Sequence, residues 1–433
     1  MKATMRKPRQ LHGDVKVYCL QEEINRGKLT MENSVFRVDA DFVKNVLIQN
    51  YGSRDVKIMD LQVSQGVNRG DNFLSSMWKI SARYEICRNG ERVQERVDWM
   101  CKFAPEDEAS KTAVKEQGIF TTEINMLTRV IPKIEELFGQ RLAARAIFAS
   151  TEEYEVIVME DLSKEGYILK NRMIGLDREH VLLTLEKLAK LHAGSVYLHE
   201  SEPELIESFK IGIFNEFTPN GFYKMFQLSL LKLADYFETL RDEWCPRVAK
   251  KIRVVAENFE ENIKNVYAYD PDEFCVLNHG DCWVNNLLFK ETDSGKATDL
   301  RMVDYQMSIY GSPAIDIIYV LSTCPIIELR GDHFEIFTEY YLKELRINME
   351  QLGCKKKPLT MEELKKSILK RRIYYVMAAL ILHPRMVADK SEVEDFSEFL
   401  ESGISKMNVM KNPSVPQTLR KIVPLMDKMN IFD

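Results

Sequence analysis

The spacing of apolar residues divides this chain into a first part rich in strands and a second part rich in helices. Near the amino terminus, apolar residues recur at helical spacing after Asp39, and Tyr51 and Gly52 form a stop signal. Three strand-like runs follow, at residues 56–64, 77–87 and 96–103. This order predicts one helix followed by neighbouring strands.

A hairpin signal joins the second and third runs. Asn89 and Gly90 stand between them, and Asn-Gly between two alternating segments favours a tight turn. A helix pattern then covers residues 115–131 and is expected to end at Pro132, because proline interrupts the hydrogen bonding of a helix. Two more strands are predicted, at residues 145–149 and 155–159. The first part is therefore predicted to be an antiparallel sheet with one inserted helix.

Beyond Glu160 the apolar period changes to that of helices. Helical segments are predicted at residues 181–198, 222–239, 248–266, 333–345 and 361–382. Short strands are predicted at residues 275–277, 286–289 and 300–303. We therefore predict an α+β fold, with an extension at 1–38, a nucleotide-binding lobe at 39–160 and a mainly helical lobe at 161–433.

Composition and charge exclude several classes of protein. The 433 residues are 45% apolar, which is enough to bury a large core and favours more than one folding unit. The net charge of −6, without a stripe of Lys and Arg, argues against nucleic acid as a partner. The longest apolar runs, at residues 315–321 and 374–382, are shorter than the roughly 20 residues of a membrane-spanning helix. We expect no membrane partner.

The eight cysteines have no paired or metal-binding spacing. Reduced thiols in a cytoplasmic protein explain this distribution, and no zinc site is predicted. The amino terminus lacks the apolar core of a secretory signal. The sequence does not indicate an oligomeric state, and a monomer is assumed.

Residues 279–286 carry the strongest chemical signal. His279, Asp281 and Asn286 follow the H-x-D-x-x-x-x-N spacing of a kinase catalytic loop. Asp281 is predicted to accept the proton of an acceptor hydroxyl, Asn286 to bind Mg²⁺, and His279 to support the loop by hydrogen bonding. Asp304 follows an apolar strand, where a carboxylate needs a compensating cation, so it is predicted to be the main Mg²⁺ ligand. Taken singly, the two aspartates are equally well explained as turn or cap residues; their combined spacing favours phosphoryl transfer.

Lys102 is the candidate for binding the α- and β-phosphates of ATP. It projects from the third strand on the face opposite the apolar residues, and Met100 on the same face is predicted to lie against adenine. Glu123 lies on the inward stripe of the predicted helix, where an acid needs a cation. We therefore predict an ion pair between Lys102 and Glu123, which is the pair that orients the phosphate-binding lysine in a kinase. Glu116, one turn earlier, is the alternative partner.

Two further segments are candidates for nucleotide binding. The loop between the first two strands contains glycines that permit close approach to phosphates, but it is not a Walker A loop. Its predicted contacts are Gly66, Gly70, Asp71, Asn72, Ser75 and Ser76. Backbone groups of Glu160, Asp161 and Leu162 are predicted to bond adenine, although a strand ending in an acidic turn explains them equally well.

Other polar and aromatic residues have simpler interpretations. His192 lies on an apolar helical face and is predicted to be a buried core histidine rather than a ligand. An aromatic cluster either lines an acceptor pocket or belongs to the core, and helix-spaced aromatic residues favour the core. It consists of Phe222, Tyr223, Met225 and Phe226.

Taken in order, these motifs resemble the ecdysteroid kinase-like family of arthropods, which is related to choline and aminoglycoside kinases. The resemblance covers about residues 66–321 and depends most on residues 279–289 and 303–306. It implies a protein-kinase-like bilobal fold, ATP and Mg²⁺, and transfer of the γ-phosphate to an alcohol such as an ecdysteroid or a foreign compound. It also implies that Asp316 braces the catalytic loop.

Cys282 and Tyr305 depart from the usual Leu and Phe of this family, and both residue types still pack there. The alternatives are an inactive pseudokinase that serves as a binding module, or a kinase of choline or sugars. A protein kinase is disfavoured because no Ala-Pro-Glu follows Asp304. A glycosidase with two catalytic carboxylates would leave the lysine–glutamate pair unexplained.

Overall fold

The computed structural model describes residues 38–52, 54–66, 75–88, 90–105, 108–152, 155–389 and 408–433. Their contacts form two compact units. Unit 1 contains the described residues up to Glu136 together with Ala143–Tyr167. Unit 2 contains Leu137–Leu142 and the described residues from Ile168 to Asp433. All but the last residue of the predicted amino-terminal extension lies outside the described residues.

Unit 1 is built on a five-stranded antiparallel sheet with the order β1-β2-β3-β5-β4. The strands are β1 (Val56–Gln65), β2 (Ser76–Arg88), β3 (Glu91–Phe103), β4 (Ala146–Ser150) and β5 (Val156–Glu160). Arg88 pairs with Glu91, which leaves two residues in the connection, and Gly90 has a φ of 86°. The five predicted strands and the hairpin are confirmed.

Helix α1 (Ala40–Tyr51) precedes the sheet and packs its apolar face against it. The side chain of Asp39 accepts a hydrogen bond from the N–H of Phe42 at 3.0 Å, which satisfies one of the free donors at the helix start. Gly52 ends the helix in the left-handed conformation, with a φ of 69°. Both ends agree with the prediction.

The helical segment after β3 is more divided than the single helix predicted at residues 115–131. Its parts are α2 (Glu108–Glu116), α3 (Ile119–Asn125), a π-helical turn (Met126–Val130) and α4 (Ile131–Phe138). Gly118, with a φ of 62°, separates α2 from α3. The prediction that the helix ends at Pro132 is wrong. In the π-helical turn, the N–H of Ile131 donates to the carbonyl of Met126, five residues earlier. The regular helical pattern is therefore already interrupted next to Pro132, which has no N–H to donate.

Unit 2 is mainly helical, and its long helix α5 is buried along most of its length and packs against α11. The helices are α5 (Arg178–Ser201), α6 (Pro203–Glu207), α7 (Asn220–Glu238), α8 (Cys245–Glu257), α9 (Phe259–Lys264), α10 (Ala314–Thr323), α11 (Phe334–Leu352), α12 (Met361–Lys370), α13 (Arg372–Met377), α14 (His383–Val387) and α15 (Ser414–Lys428). A π-helical turn at Ala378–Leu382 joins α13 to α14. The predicted helix at 248–266 is broken at Asn258, and the one at 361–382 at Arg371.

Two small antiparallel sheets in unit 2 flank the loops that contain His279, Asp281 and Asp304. One sheet joins β6 (Ile168–Leu169), β8 (Leu287–Glu291) and β9 (Ala297–Met302), and the other pairs β7 (Val276–Asn278) with β10 (Ile309–Gly311). The three short strands predicted here are present with shifted ends. Across the described parts of both units, no helix combines the length and apolar character that crossing a membrane requires.

Candidate active site

A buried ion pair in unit 1 joins β3 to α3. Lys102 Nζ lies 2.6 Å from Glu123 Oε2, and the two side chains are 4% and 1% exposed. Lys102 stands on a central strand, between Met77 of β2 and Ile157 of β5. Because either charge alone would be costly to bury, each side chain requires the other. The predicted pair is therefore formed, whereas the alternative partner, Glu116, is exposed near the end of α2.

Gly66 follows β1 at the start of the predicted phosphate loop. Its N–H donates to the carbonyl of Met77 at 2.8 Å, and a Cβ at this position would lie 2.8 Å from the terminal carbon of Met100. Glycine thus lets the backbone pass close to Met100. Ser75 and Ser76 are half-buried where β2 begins. The remaining predicted contacts of this loop lie outside the described residues: Gly70, Asp71 and Asn72.

Several polar groups at the end of β5 form hydrogen bonds with other residues of unit 1. The N–H of Glu160 donates to the carbonyl of Arg145 at 3.1 Å, and its carboxylate accepts the N–H of Arg145 at 2.8 Å. The N–H of Asp161 donates to the carbonyl of Asp98 at 3.1 Å, and its side chain caps the following turn. An adenine bound here would therefore have to use the N–H of Leu162 or backbone carbonyl oxygens.

In unit 2, residues 279–286 form a tight loop between β7 and β8. Gly280 has a φ of 82°, and a Cβ there would collide with the carbonyl oxygen of Met307. Only glycine fits this position without moving the backbone. The side chains of Cys282 and Val284 are buried, and their packing holds the loop in place. The loop is therefore held in one conformation by its own packing.

Both carboxylate oxygens of Asp281 accept hydrogen bonds from the protein. Asn286 Nδ2 donates to Asp281 Oδ2 at 3.0 Å and to the carbonyl of Asp281 at 2.8 Å. The hydroxyl of Tyr319 donates to Asp281 Oδ1 at 2.7 Å. Since the amide of Asn286 uses its N–H groups on the loop, its side-chain oxygen is the atom suited to a hard cation such as Mg²⁺. The structure thus brings Asp281 and Asn286 together.

His279 supports this loop. Its Nε2 lies 3.0 Å from the carbonyl of Val303, and its Nδ1 lies 3.3 Å from the N–H of Asp281. A neutral ring with its proton on Nε2 satisfies both contacts. Burial lowers the pKa of His279, which favours that neutral form. The supporting contacts agree with the predicted role.

Asp316, in the first turn of α10, braces the same loop. Its Oδ2 accepts the N–H of His279 at 2.6 Å, and its Oδ1 accepts the N–H of Gly280 at 2.9 Å. His192 Nε2 lies 3.1 Å from Asp316 Oδ2, and His192 Nδ1 lies 2.7 Å from the hydroxyl of Tyr341. The bracing contacts implied by the family resemblance are present. His192 is a buried core histidine, as predicted.

Asp304 follows β9 in a left-handed backbone conformation, with φ 67° and ψ 56°. The N–H of Val303 donates to the carbonyl of Asn286 at 3.0 Å, and this hydrogen bond places Asp304 next to the loop of residues 279–286. Gln306 Nε2 lies 3.3 Å from Asp304 Oδ2. A carboxylate and an amide oxygen on neighbouring segments are the kind of ligands that Mg²⁺ takes in kinases, where phosphates and water complete the shell.

No group of three or more His, Cys, Asp or Glu side chains in the described part of the chain is arranged to hold a metal ion. A Mg²⁺ site of a kinase needs fewer protein ligands than that.

The aromatic cluster on α7 packs as core. Tyr223, Met225 and Phe226 are buried, and the rings of Phe222, Tyr223 and Phe226 each lie 5.7 Å from the ring of Phe214. This arrangement agrees with the interpretation favoured by the helical spacing.

Tyr319 was not predicted from the sequence to be a site residue. It lies in an apolar run that carries no catalytic motif, on a helix whose residues are all buried. Its one sequence signal is a hydroxyl three residues after Asp316, a spacing that places both side chains on one helix face.

Known proteins resemble this chain at the level of a family model and of a distant solved structure. The model described as the ecdysteroid kinase-like family matches residues 69–354. A comparison with curated proteins gives no match. Among solved structures, the choline kinase LicA from Streptococcus pneumoniae aligns with 88% of this chain and 99% of that chain, at 12% identity and a TM-score of 0.38. The family match spans the segments that contain Lys102, Glu123, Asp281 and Asp304.

Proposed function

We propose that this chain, which belongs to the ecdysteroid kinase-like family, transfers the γ-phosphate of Mg-ATP to a hydroxyl of a small molecule. The family, the antiparallel sheet of unit 1 and the helices of unit 2 confirm the predicted α+β, protein-kinase-like fold and support a small-molecule kinase in general. The observation that carries the proposal is the carboxylate of Asp281, oriented by Asn286 and Tyr319. A carboxylate fixed in this way is suited to receive a proton from an alcohol.

Lys102 is proposed to bind the α- and β-phosphates of ATP. Its ammonium group is held by Glu123 within a buried pair, which restricts the directions in which the lysine can point. Gly66 and the neighbouring Met100 are proposed to face the nucleotide, with the thioether against the adenine ring. Leu162 is proposed to supply a backbone N–H to the adenine edge.

Asn286 and Asp304 are proposed to hold Mg²⁺ through their side-chain oxygens. The ion, when bound, neutralises charge on the phosphates. In the transfer itself, the acceptor oxygen forms a bond to the γ-phosphorus, its proton passes to Asp281, and the bond from the γ-phosphorus to ADP breaks. The products are ADP and a phosphate monoester. Gly280 and Asp316 keep the loop in place during this step.

Asp304→Asn should weaken the use of Mg²⁺ without disturbing the fold. Asparagine is among the few residues that adopt the left-handed backbone readily, so the loop keeps its shape while the charge is lost. We expect the Mg²⁺ concentration for half-maximal rate to rise about tenfold or more, with thermal unfolding close to wild type. A Mg²⁺ titration of the initial rate measures the effect, and Asp293→Asn, on an exposed turn, is the matched control. An unchanged titration would contradict Asp304 as a ligand.

The acceptor is proposed to be an alcohol such as an ecdysteroid or a foreign compound. Release of ADP should be measured with ecdysteroids, choline, sugars and plant alcohols, and each product identified by mass spectrometry. We expect at least one alcohol to stimulate turnover and to gain a phosphate. Binding of Mg-ATP without stimulation by any acceptor would contradict the proposal and favour a binding module.

A cytoplasmic location is part of this proposal, because ATP and reduced thiols occur together there. The cysteines within the described residues are free thiols. ATP and the acceptor alcohol are the proposed partners, and neither nucleic acid nor a membrane is required.

A further inference from the structure

Tyr319 is a buried residue whose hydroxyl group contacts Asp281, the proposed catalytic base. Its hydroxyl donates to Asp281 Oδ1 at 2.7 Å, and the residue is 6% exposed. Burial, together with the neighbouring charge of Asp281, raises the pKa of Tyr319 well above its usual range. The phenol therefore stays protonated and remains a donor at neutral pH.

Helix α10 contacts the catalytic loop in two places. Asp316 accepts the backbone N–H groups of His279 and Gly280. Tyr319 lies three residues further along the same helix face and reaches the side chain of Asp281. Because every residue of α10 is buried, the helix is a fixed reference for both contacts. One helix thus positions the loop backbone and the carboxylate.

The carboxylate of an aspartate needs such contacts to keep one orientation. The torsion that turns it joins an sp³ to an sp² carbon, and such torsions have broad energy wells. Asn286 donates to Oδ2. The bond from Tyr319 to Oδ1 restrains the second oxygen and thus the plane of the carboxylate.

The packing around Tyr319 holds its hydroxyl in place. Its ring stacks on the ring of Tyr374 at a centroid distance of 6.1 Å and an angle of 23°. Tyr267 lies against the ring of Tyr374 at a centroid distance of 5.9 Å. These rings restrict the movement of Tyr319, whose hydroxyl is directed to Asp281.

We propose that Tyr319 is a positioning residue for the proposed kinase reaction, because it fixes the orientation in which Asp281 meets the acceptor hydroxyl. The inference rests on the proposed function and adds to it a residue outside the catalytic motif. Tyr319 acts through Asp281 and requires no contact with ATP.

Tyr319→Phe tests the proposal, because it removes the hydroxyl and keeps the stacked ring. We expect kcat to fall about tenfold or more, since misorientation of a base is costly. The KM for Mg-ATP should stay within about twofold of wild type, because a contact confined to the base affects the transfer step. Tyr374→Phe is the matched control, since it removes a buried hydroxyl from the same stack without a contact to Asp281. Its kcat should stay within about twofold of wild type.

Each result decides between a positioning role and its alternatives. A wild-type kcat in Tyr319→Phe would overturn the proposal and leave the kinase function intact. Equal losses of kcat in both variants, with equal losses in thermal stability, would indicate a general packing effect and would also overturn it. If the wild-type chain transfers phosphate to no alcohol of the panel, the proposed function fails, and this inference fails with it.

Discussion

Asp281→Asn should nearly abolish phosphoryl transfer, with a fall in kcat of about 10²- to 10⁴-fold. Asparagine has the shape of aspartate but cannot take a proton from an alcohol at neutral pH. Its amide oxygen can still accept from Asn286, and the Tyr319 hydroxyl can rotate to accept from its N–H groups, so the loop is expected to persist. The affinity for Mg-ATP should stay near that of wild type, because the base acts on the acceptor.

Initial rates with the best acceptor and calorimetric titration with Mg-ATP test this expectation. Asp272→Asn, at an exposed position before β7, is the control for the loss of one carboxylate. Wild-type turnover in Asp281→Asn would remove Asp281 as the base. Loss of both turnover and nucleotide affinity would indicate that the residue is needed for the fold of the loop instead.

Lys102→Ala should reduce both stability and nucleotide use. It removes the ammonium group that lies 2.6 Å from the carboxylate of Glu123, a side chain that is 1% exposed. Breaking a buried pair in this way costs about 3–5 kcal/mol of unfolding free energy. The KM for Mg-ATP should also rise about tenfold or more, because a charge-assisted contact to the phosphates is lost. Denaturant unfolding and steady-state kinetics measure the two effects separately.

The double variant Lys102→Met with Glu123→Gln separates charge from packing. Both replacements have nearly the volume of the original side chains and need no charged partner. We expect the unfolding free energy to recover to within about 2 kcal/mol of wild type, while the KM for Mg-ATP stays high. Recovery of nucleotide use in the double variant would contradict a phosphate-binding role for Lys102. Unchanged stability in Lys102→Ala would contradict the energetic importance of the pair.

Much of the fold and part of the site follow from local sequence rules. Strand-like runs of apolar residues predicted the strands of unit 1, and Asn89 with Gly90 predicted the turn between β2 and β3. The pair of Lys102 and Glu123 was predictable because an acid on an apolar helix stripe must find a cation. The spacing of Asp281 and Asn286 placed both in one predicted loop, and the structure brings their side chains into contact.

Other features depend on contacts that the sequence pattern does not contain. The spacing of apolar residues alone did not reveal the break at Gly118 or the π-helical turn before Pro132, because tertiary packing selects both features. Helix α10 is buried on every side, and its mainly apolar sequence carries no catalytic motif. The proposed role of Tyr319 was missed for this reason. The hydrogen bonds of Glu160 also depend on residues next to a neighbouring strand, so the sequence around Glu160 could not predict them.

The backbone conformation at position 304 bears on how the proposed activity would be lost during evolution. Asp, Asn and Gly tolerate that conformation best, and the codons for Asn and Gly each differ from an Asp codon by a single nucleotide. A mutation that removes the proposed metal ligand thus need not destabilise the fold. Selection for stability would not eliminate it, and a duplicated gene would pass readily from an enzyme to a nucleotide-binding protein without turnover.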